Sequence, residues 1–394
     1  MGKNKESEKL KGDVIKSIDS VKERLIEIAK NIHNNPELGF KEYRASALLT
    51  AELARYEFQV EKNIAGIETA FKATYQGTSA KPKIGFLAEY DALPDIGHGC
   101  GHNLICTASI GAAIGLTSVM HDLPGTIVVL GTPAEETSGT KVLMVRKGIF
   151  KDIDAAMMFH PSNRNAVEST SSAIDAIEFT FKGKAAHASE SPHEGINALE
   201  AVILLFNAIN GLREHVKEDV RMHGIITEGG NAPNIVPEKA VARFYIRAAT
   251  REYLDEVVEK VKNCAEGAAL ATGTKLNLRY YENSFKNLAP NHALAEVFKH
   301  NLSSLGVKKI SPKLAMRGST DMGDVSHAVP AIHPYLSIAP KSVALHTKKF
   351  TAAANSKRGH ETMILAAKAI AMTTIDLITS SAILKNVKDE WVKG

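Results

Sequence analysis

Cysteine is scarce, with three among 394 residues: Cys100, Cys106 and Cys264. A low, odd count excludes a disulfide-stapled scaffold and points to a reducing, cytoplasmic setting. The 28 glycines and 14 prolines are too few for a collagen-like or low-complexity chain. No stretch reads as the ~20 strongly apolar residues of a membrane-spanning helix. The longest uncharged run, 104–120, is rich in Ala, Gly, Ser and Thr. The first six residues lack an apolar signal region, and Glu6 stands where a myristoylation signal has Ser or Thr. Charge of one sign is also lacking. The net charge is +4, and 341–394 alone carries nine basic and four acidic residues, so the remainder is close to neutral. No basic stripe with interleaved aromatics occurs. The expectation is a cytoplasmic globular protein with neither nucleic-acid nor membrane partners, its apolar fraction of 44% ample for a core.

What is present is periodic. Val14, Ile18, Val21, Leu25, Ile28 and Ile32 recur at helical spacing and predict one helix, stopped by Asn34-Asn35-Pro36. A second helix is expected over 42–56. Short apolar runs at 84–88, 126–130 and 155–159 alternate with helical patterns at 103–120 and 139–147. Continuous apolar strands alternating with helices predict an α/β domain with a mostly parallel sheet and helices on both faces. From 173 the character changes. Residues 173–182 alternate like a half-exposed strand. A helix (195–216), two strands (222–228, 239–248), a helix (251–270) and a strand (275–282) follow. That β-α-β-β-α-β order is ferredoxin-like. We therefore expect a catalytic domain over 1–172 and 286–394, interrupted by an α+β domain over 173–285. The chain then returns to a helix (291–305), a loop (318–324), an apolar strand (331–338) and one long C-terminal helix.

The chemically capable residues gather at strand ends, where open α/β sheets place their sites. Glu89 and Asp91 follow the first run, Glu135 and Glu136 the second, and His160 the third. Cys100 and His102 lie two apart in a glycine-rich loop, a spacing that lets both side chains face one ion. They equally suit a buried thiol and a hydrogen-bonded imidazole. Glu135-Glu136 reads as a metal-and-water pair or as two solvated glutamates. His160 and His346 sit at apolar-to-polar junctions, as ligands or as core histidines. Taken together, one Cys, one Glu and three His match zinc- or manganese-type ligation, and five donors exceed what one tetrahedral ion needs. A dinucleotide fingerprint fails at 97–102 because His102 occupies its last small position. Two rivals stay open: an amidase using Cys100 as nucleophile with His98 or His102, and a non-catalytic metal-binding module.

The ordered segments Glu89-Tyr90-Asp91-Ala92-Leu93-Pro94, Gly97 to Asn103, Thr132 to Glu136 and Met157 to Pro161 resemble the dinuclear metallopeptidases that include aminoacylases and glutamate carboxypeptidases. The nearest branch contains aminobenzoyl-glutamate hydrolase and aminoacylase-like dipeptidases. The resemblance runs over almost the whole chain after residue 13. It implies two divalent ions per subunit, manganese or zinc, held by Cys100, His102, Glu136, His160 and His346. It implies Glu135 as general base and Asp91 as the carboxylate that orients a ligand. It implies a lid and dimerisation role for the inserted domain, with His187 reaching the partner subunit's site, and Asn234 and Arg247 holding a substrate carboxylate. The implied activity is hydrolysis of N-acyl amino acids or dipeptides by a homodimer. Ser319 to Asp324 also resembles that branch, without an assigned role.

Overall fold

The structure is a computed structural model that describes residues 2–315 and 317–393. The chain divides into two compact units. One runs to Thr170 and resumes over Leu288–Ala315 and from Asp324 onward; the other holds Ser171–Asn287 and 317–323. The segment 317–323, expected with the first unit, belongs to the second. Its backbone and side chains explain why: Ser172 N donates to Gly318 O at 2.9 Å, and Arg247 Nη1 donates to Ser319 Oγ at 2.8 Å.

The first unit is built on a six-stranded sheet. Its spatial order is Gln59–Lys62, Phe71–Gln76, Thr126–Gly131, Lys83–Ala88, Ala155–Met157, Ala331–Ile332. The last four strands are parallel, and their apolar runs are buried. The first two are antiparallel and form one edge. Sequence reading missed both, because Gln59–Lys62 is polar and largely exposed, which removes the burial signal a strand normally carries. The expected strands at 155–159 and 331–338 each break in two. Pro161 and Pro334 follow the breaks, and His160–Ser162 pairs with Tyr335–Ser337 as a separate parallel ribbon.

Helix His102–Met120 packs against Gly2–Ser20 and Lys357–Thr379. Its small residues permit this close approach. A Cβ on Gly115 would lie 2.3 Å from Ile18 Cγ1. By length and composition His102–Met120 and Lys357–Thr379 could each cross a membrane, but 89% and 72% of their apolar windows are buried inside the protein. The single N-terminal helix expected from the apolar spacing is two, Gly2–Ser20 and Lys22–Asn34, parted at Val21 (φ −105°, ψ 5°). The long C-terminal helix is three, Lys348–Ala354, Lys357–Thr379 and Ser381–Lys393. Thr347 and Ser356 cap the first two, accepting from Phe350 N and Gly359 N, so the breaks fall where capping hydroxyls occur.

The second unit has a fully antiparallel sheet in the order Lys275–Tyr280, Ala173–Lys182, Lys239–Ala248, Arg221–Glu228, the ferredoxin-like arrangement. Helices Ala198–Leu212 and Arg251–Thr272 pack on it, around Phe179, Phe181, Phe244 and Val257. Ala173–Lys182 is not half-exposed. Its polar positions are covered by arginines. Arg251 donates to both oxygens of Asp175 at 2.8 Å, and Arg279 and Arg243 donate to Glu178 at 2.6 and 2.8 Å.

The hydrogen bonds from Arg279 and Arg243 hold the Glu178 carboxyl at about 2, below its ordinary 4.5. A depressed carboxyl stabilises the fold fully above the unfolded value and loses that contribution as pH falls toward the folded one. Glu178→Gln should therefore cost about 1 kcal/mol at pH 7, since both arginines reach solvent. The difference from the wild type in urea unfolding should close between pH 4.5 and about 2. A gap independent of pH would refute the pairing.

Candidate active site

Three loops leave the carboxyl ends of neighbouring parallel strands and carry the charged residues. Lys83–Ala88 leads to Glu89 and Asp91, Thr126–Gly131 to Glu135 and Glu136, and Ala155–Met157 to His160. Gly101 opens helix His102–Met120 at φ +82°, and a Cβ there would lie 2.9 Å from Pro161 Cγ. Only glycine permits both the left-handed turn and the approach of the His160-Pro161 segment.

Asp91 is the hub. His102 Nδ1 donates to Asp91 Oδ1 at 2.9 Å, and Glu136 N donates to Asp91 Oδ2 at 2.9 Å. Burial opposes its charge, yet His102, these hydrogen bonds and Lys141 hold its carboxyl below the usual range. His160 Nδ1 donates to Pro161 O at 2.7 Å, leaving Nε2 facing Cys100 Sγ at 3.3 Å. Burial lowers His160 to about 4, so its imidazole is neutral. His346 adopts φ +59°, its backbone N donates to Gly99 O at 2.9 Å, and its Nε2 lies 3.2 Å from Glu136 Oε1. A left-handed conformation at a β-carbon-bearing residue is strain of the kind found at functional sites.

The sequence-derived donors thus come together. Cys100, His102 and His160 present ligand atoms within 4.8 Å of one another, as do Cys100, Glu136 and His346, and His102, Glu135 and Glu136. Cys100 belongs to two of these sets, as a donor shared by two ions would. The atoms fit cations better than they fit each other. His102 Nδ1 is committed to Asp91, so Nε2 is the nitrogen turned toward the other donors. It faces Glu89 Oε2 at 3.4 Å and Glu136 Oε1 at 3.9 Å, and none of these three buried atoms has a well-formed hydrogen bond. Acceptors turned toward one another repel unless positive charge lies between them. The separations of 3.2 to 3.4 Å match the edge of about 3.4 Å between donors each about 2.1 Å from a tetrahedral ion. Titration points the same way. Burial and Glu136 push the Cys100 thiol well up, so its thiolate needs a compensating cation. Against burial, Asp91 and Cys100 push His102 well up, and Glu136 raises His346.

Sequence reading missed several supporting residues. Glu42 accepts from Ala134 N at 2.7 Å and from Thr69 Oγ1 at 3.0 Å, pinning Ala134 (φ +56°) beside Glu135; burial raises Glu42 to about 7. Lys141 is fully buried, with Nζ 2.5 Å from Glu89 Oε1. Both residues sit in amphipathic helical segments, where Glu and Lys read as surface. His333, which lies near His346 in the sequence, is buried edge-on to His160 with ring centres 5.3 Å apart. It is His346 that meets Glu136. His98 Nε2 donates to Ile32 O at 3.1 Å, and so is turned to the backbone.

The second unit brings His187 and Asn234 together. His187 pairs with Ile235 across a β-bridge, and Ala188 N donates to Asn234 O at 3.0 Å. Both side chains are exposed. His187 Nδ1 accepts from Glu190 N at 3.2 Å and Ser189 N at 3.4 Å, which places the ring proton on Nε2. Arg247 Nη1 donates to Ser319 Oγ at 2.8 Å.

Residues 170–272 match the M20 peptidase dimerisation domain. The chain is 37% identical to the Xaa-Arg dipeptidase of Mus musculus over 98% of this chain and 93% of that protein. This chain belongs to the M20 peptidase family. It is 30% identical to a component of the p-aminobenzoyl-glutamate hydrolase of Escherichia coli (strain K12), over 95% of this chain and 93% of that one. A Bacillus subtilis dinuclear metal-binding peptidase of the M20 family shares the fold, with TM-score 0.71 and 19% identity over 91% of this chain and 99% of the other. As an M20 family member the protein is a hydrolase, and its α/β unit with the inserted dimerisation domain is the family architecture.

Gly101→Ala tests the loop geometry. The strained φ and the Pro161 contact should cost about 1–3 kcal/mol and displace Cys100 and His102 together. Thermal unfolding and metal content should both fall; an unchanged Tm with full metal content would contradict this account.

Proposed function

We propose that the protein hydrolyses the amide bond of dipeptides or N-acyl amino acids, with two divalent ions, manganese or zinc, held by Cys100, His102, Glu136, His160 and His346. The observation that carries this reading is the convergence of those five donors beside a further carboxylate, Glu135, in one cluster whose Cys100, His102 and His160 are buried. When bound, such ions supply Lewis acidity, which acidifies water and polarises a carbonyl. Glu135 takes the water's proton and returns it to the leaving nitrogen. Asp91 keeps the His102 lone pair directed into the site by holding Nδ1–H. His187 of the partner subunit donates from Nε2 to the carbonyl oxygen as negative charge builds there. Arg247, with Asn234, holds the substrate's carboxylate, the group that dipeptides and N-acyl amino acids share. The names of the relatives, a dipeptidase and an aminobenzoyl-glutamate hydrolase, favour this substrate class. The three free cysteines favour a cytoplasmic setting.

Homodimerisation is supported by the dimerisation domain and by its surface. The edge strand Arg221–Glu228 exposes Ile225 and Ile226, and helix Ala198–Leu212 exposes Ile203 and Leu204. An unpaired edge with apolar side chains is a surface that self-pairing covers. A second reading draws on the 3.3 Å contact of Cys100 with His160, which would also suit a thiol nucleophile and its base. That reading needs no metal.

Two measurements decide these points. Glu135→Gln should keep two ions per subunit by elemental analysis and lose kcat by about 10³-fold or more, whereas Glu136→Gln should lose metal; the reverse pattern would exchange their roles. Full turnover of metal-free wild-type protein on a panel of dipeptides and N-acyl amino acids would favour the thiol nucleophile. Separately, Leu204→Glu with Ile225→Lys should yield monomers in sedimentation and reduce activity by about 10²-fold or more, because His187 then has no partner site to reach. A fully active monomer would remove His187 from the mechanism.

A further inference from the structure

We propose that Tyr335 is a further catalytic residue, its phenolic O–H donating to the oxygen of the substrate's amide carbonyl as negative charge builds there. The inference rests on the amide-hydrolase reading above and adds to it a donor from the same subunit as Glu135.

The backbone places this side chain. Strand Ala331–Ile332 stops before Pro334, and the chain restarts as Tyr335–Ser337, parallel to His160–Ser162. Tyr335 is the register partner of His160. Partners on adjacent strands project to the same face, so the phenol and the imidazole lie side by side. Their ring centres are 5.1 Å apart, and those of Tyr335 and His333 are 4.9 Å apart. The main chain is fixed as well. Tyr335 N donates to Ala166 O at 2.8 Å, Ala166 N donates to Tyr335 O at 2.9 Å, and His160 N donates to Pro334 O at 2.8 Å.

The ring is held, but its hydroxyl is unspent. Tyr335 is 6% exposed, and its hydroxyl forms no hydrogen bond with a described residue. Tyr90, the other buried tyrosine, shows the usual arrangement, its hydroxyl donating to Thr69 O at 2.6 Å. Leaving a buried donor unpaired is costly, and a ligand that supplies the acceptor removes the cost.

The surroundings say which ligand atom that is. Burial first, and then the charges of Cys100, Glu135 and Glu89, push the phenol above its ordinary value. The hydroxyl is therefore on the side of the site where Glu135 would act on a bound amide. The carboxylates there can only accept hydrogen bonds, whereas a phenol at neutral pH carries a proton to share. The carbonyl oxygen of an amide is an acceptor, and it becomes a stronger one as water adds to its carbon. A donor fixed by its ring and backbone meets that charge without reorganising. The proton stays on the phenol oxygen throughout, and the hydrogen bond shortens as the carbonyl oxygen gains charge.

Tyr335→Phe keeps the ring and removes the hydroxyl alone. Because that hydroxyl pairs with no described protein group, the variant should keep the Tm and the metal content of the wild type. On an N-acyl amino acid that the wild type cleaves, kcat should fall about 10- to 100-fold, with KM within about two-fold. Affinity for a phosphinate dipeptide analogue, whose tetrahedral centre carries a charged oxygen, should fall by a similar factor in calorimetry. Affinity for the product amino acid should not change. Retained kcat and phosphinate affinity would overturn the role of Tyr335 and leave the hydrolase reading intact. A loss of metal that matches the loss of kcat would also overturn it, because the ring would then act through His160. Wild-type protein that cleaves no dipeptide or N-acyl amino acid would overturn the hydrolase reading, and this inference with it.

Discussion

A single buried carboxylate organises this protein's site. Asp91 binds His102 through one oxygen and the backbone of Glu136 through the other. The first contact sets which imidazole nitrogen keeps its lone pair. The second fixes the turn after strand Thr126–Gly131 that presents Glu136. Two loops from adjacent strands are therefore held in register by one side chain, and the donor atoms on both converge because of it. A buried anion is stable only when hydrogen-bonded, and Asp91 meets that condition with a donor on each oxygen. Removing its charge would release a histidine tautomer and a loop together.

Around this hub, the fold supplies precision through backbone constraints. Gly101 reverses the chain so that Cys100 and His102 lie on either side of a helix N-terminus, with Pro161 packed against the turn. Gly99 O holds the backbone of His346, bringing a residue from 246 positions further along next to Cys100. Glu42 restrains Ala134 in a left-handed conformation immediately before Glu135. Left-handed φ at Ala134 and His346 persists only where surrounding contacts over-determine it. These contacts come from three separate segments, so the strain is distributed over the rigid α/β unit.

Much of this was legible in the sequence, and what escaped has a common physical cause. The parallel strands announce themselves as continuous apolar runs, and the candidate donors lie at their ends, so the residue pattern points to both. The ferredoxin-like order of the second unit was legible from the succession of strand and helix patterns. Strands Gln59–Lys62 and Phe71–Gln76 were not: the first is a polar, exposed edge, and the second, paired to it, is only partly buried. Ala173–Lys182 read as half-exposed because Asp175 and Glu178 are polar, yet Arg251, Arg243 and Arg279 cover them. Lys141 and Glu42 escaped for a related reason. A charge buried with its counter-charge or its hydrogen-bond donors looks, in one dimension, like a charge on a surface. Long-range pairing is the information a residue pattern does not carry.

The two units treat their polar residues in opposite ways, and this bears on function. In the first, His102 Nε2 and Glu136 Oε1 are buried side by side without a well-formed hydrogen bond, an arrangement that favours positive charge between them. In the second, the sheet carboxylates Asp175 and Glu178 are matched by arginines. His187 is held differently. Its Nδ1 is occupied by backbone amides, so its Nε2–H is a directed donor on an exposed loop. A donor held in this way costs little to desolvate at the moment a negative charge forms, because its orientation is already set. The first unit thus gathers groups that favour positive charge, and the second presents a donor of fixed orientation.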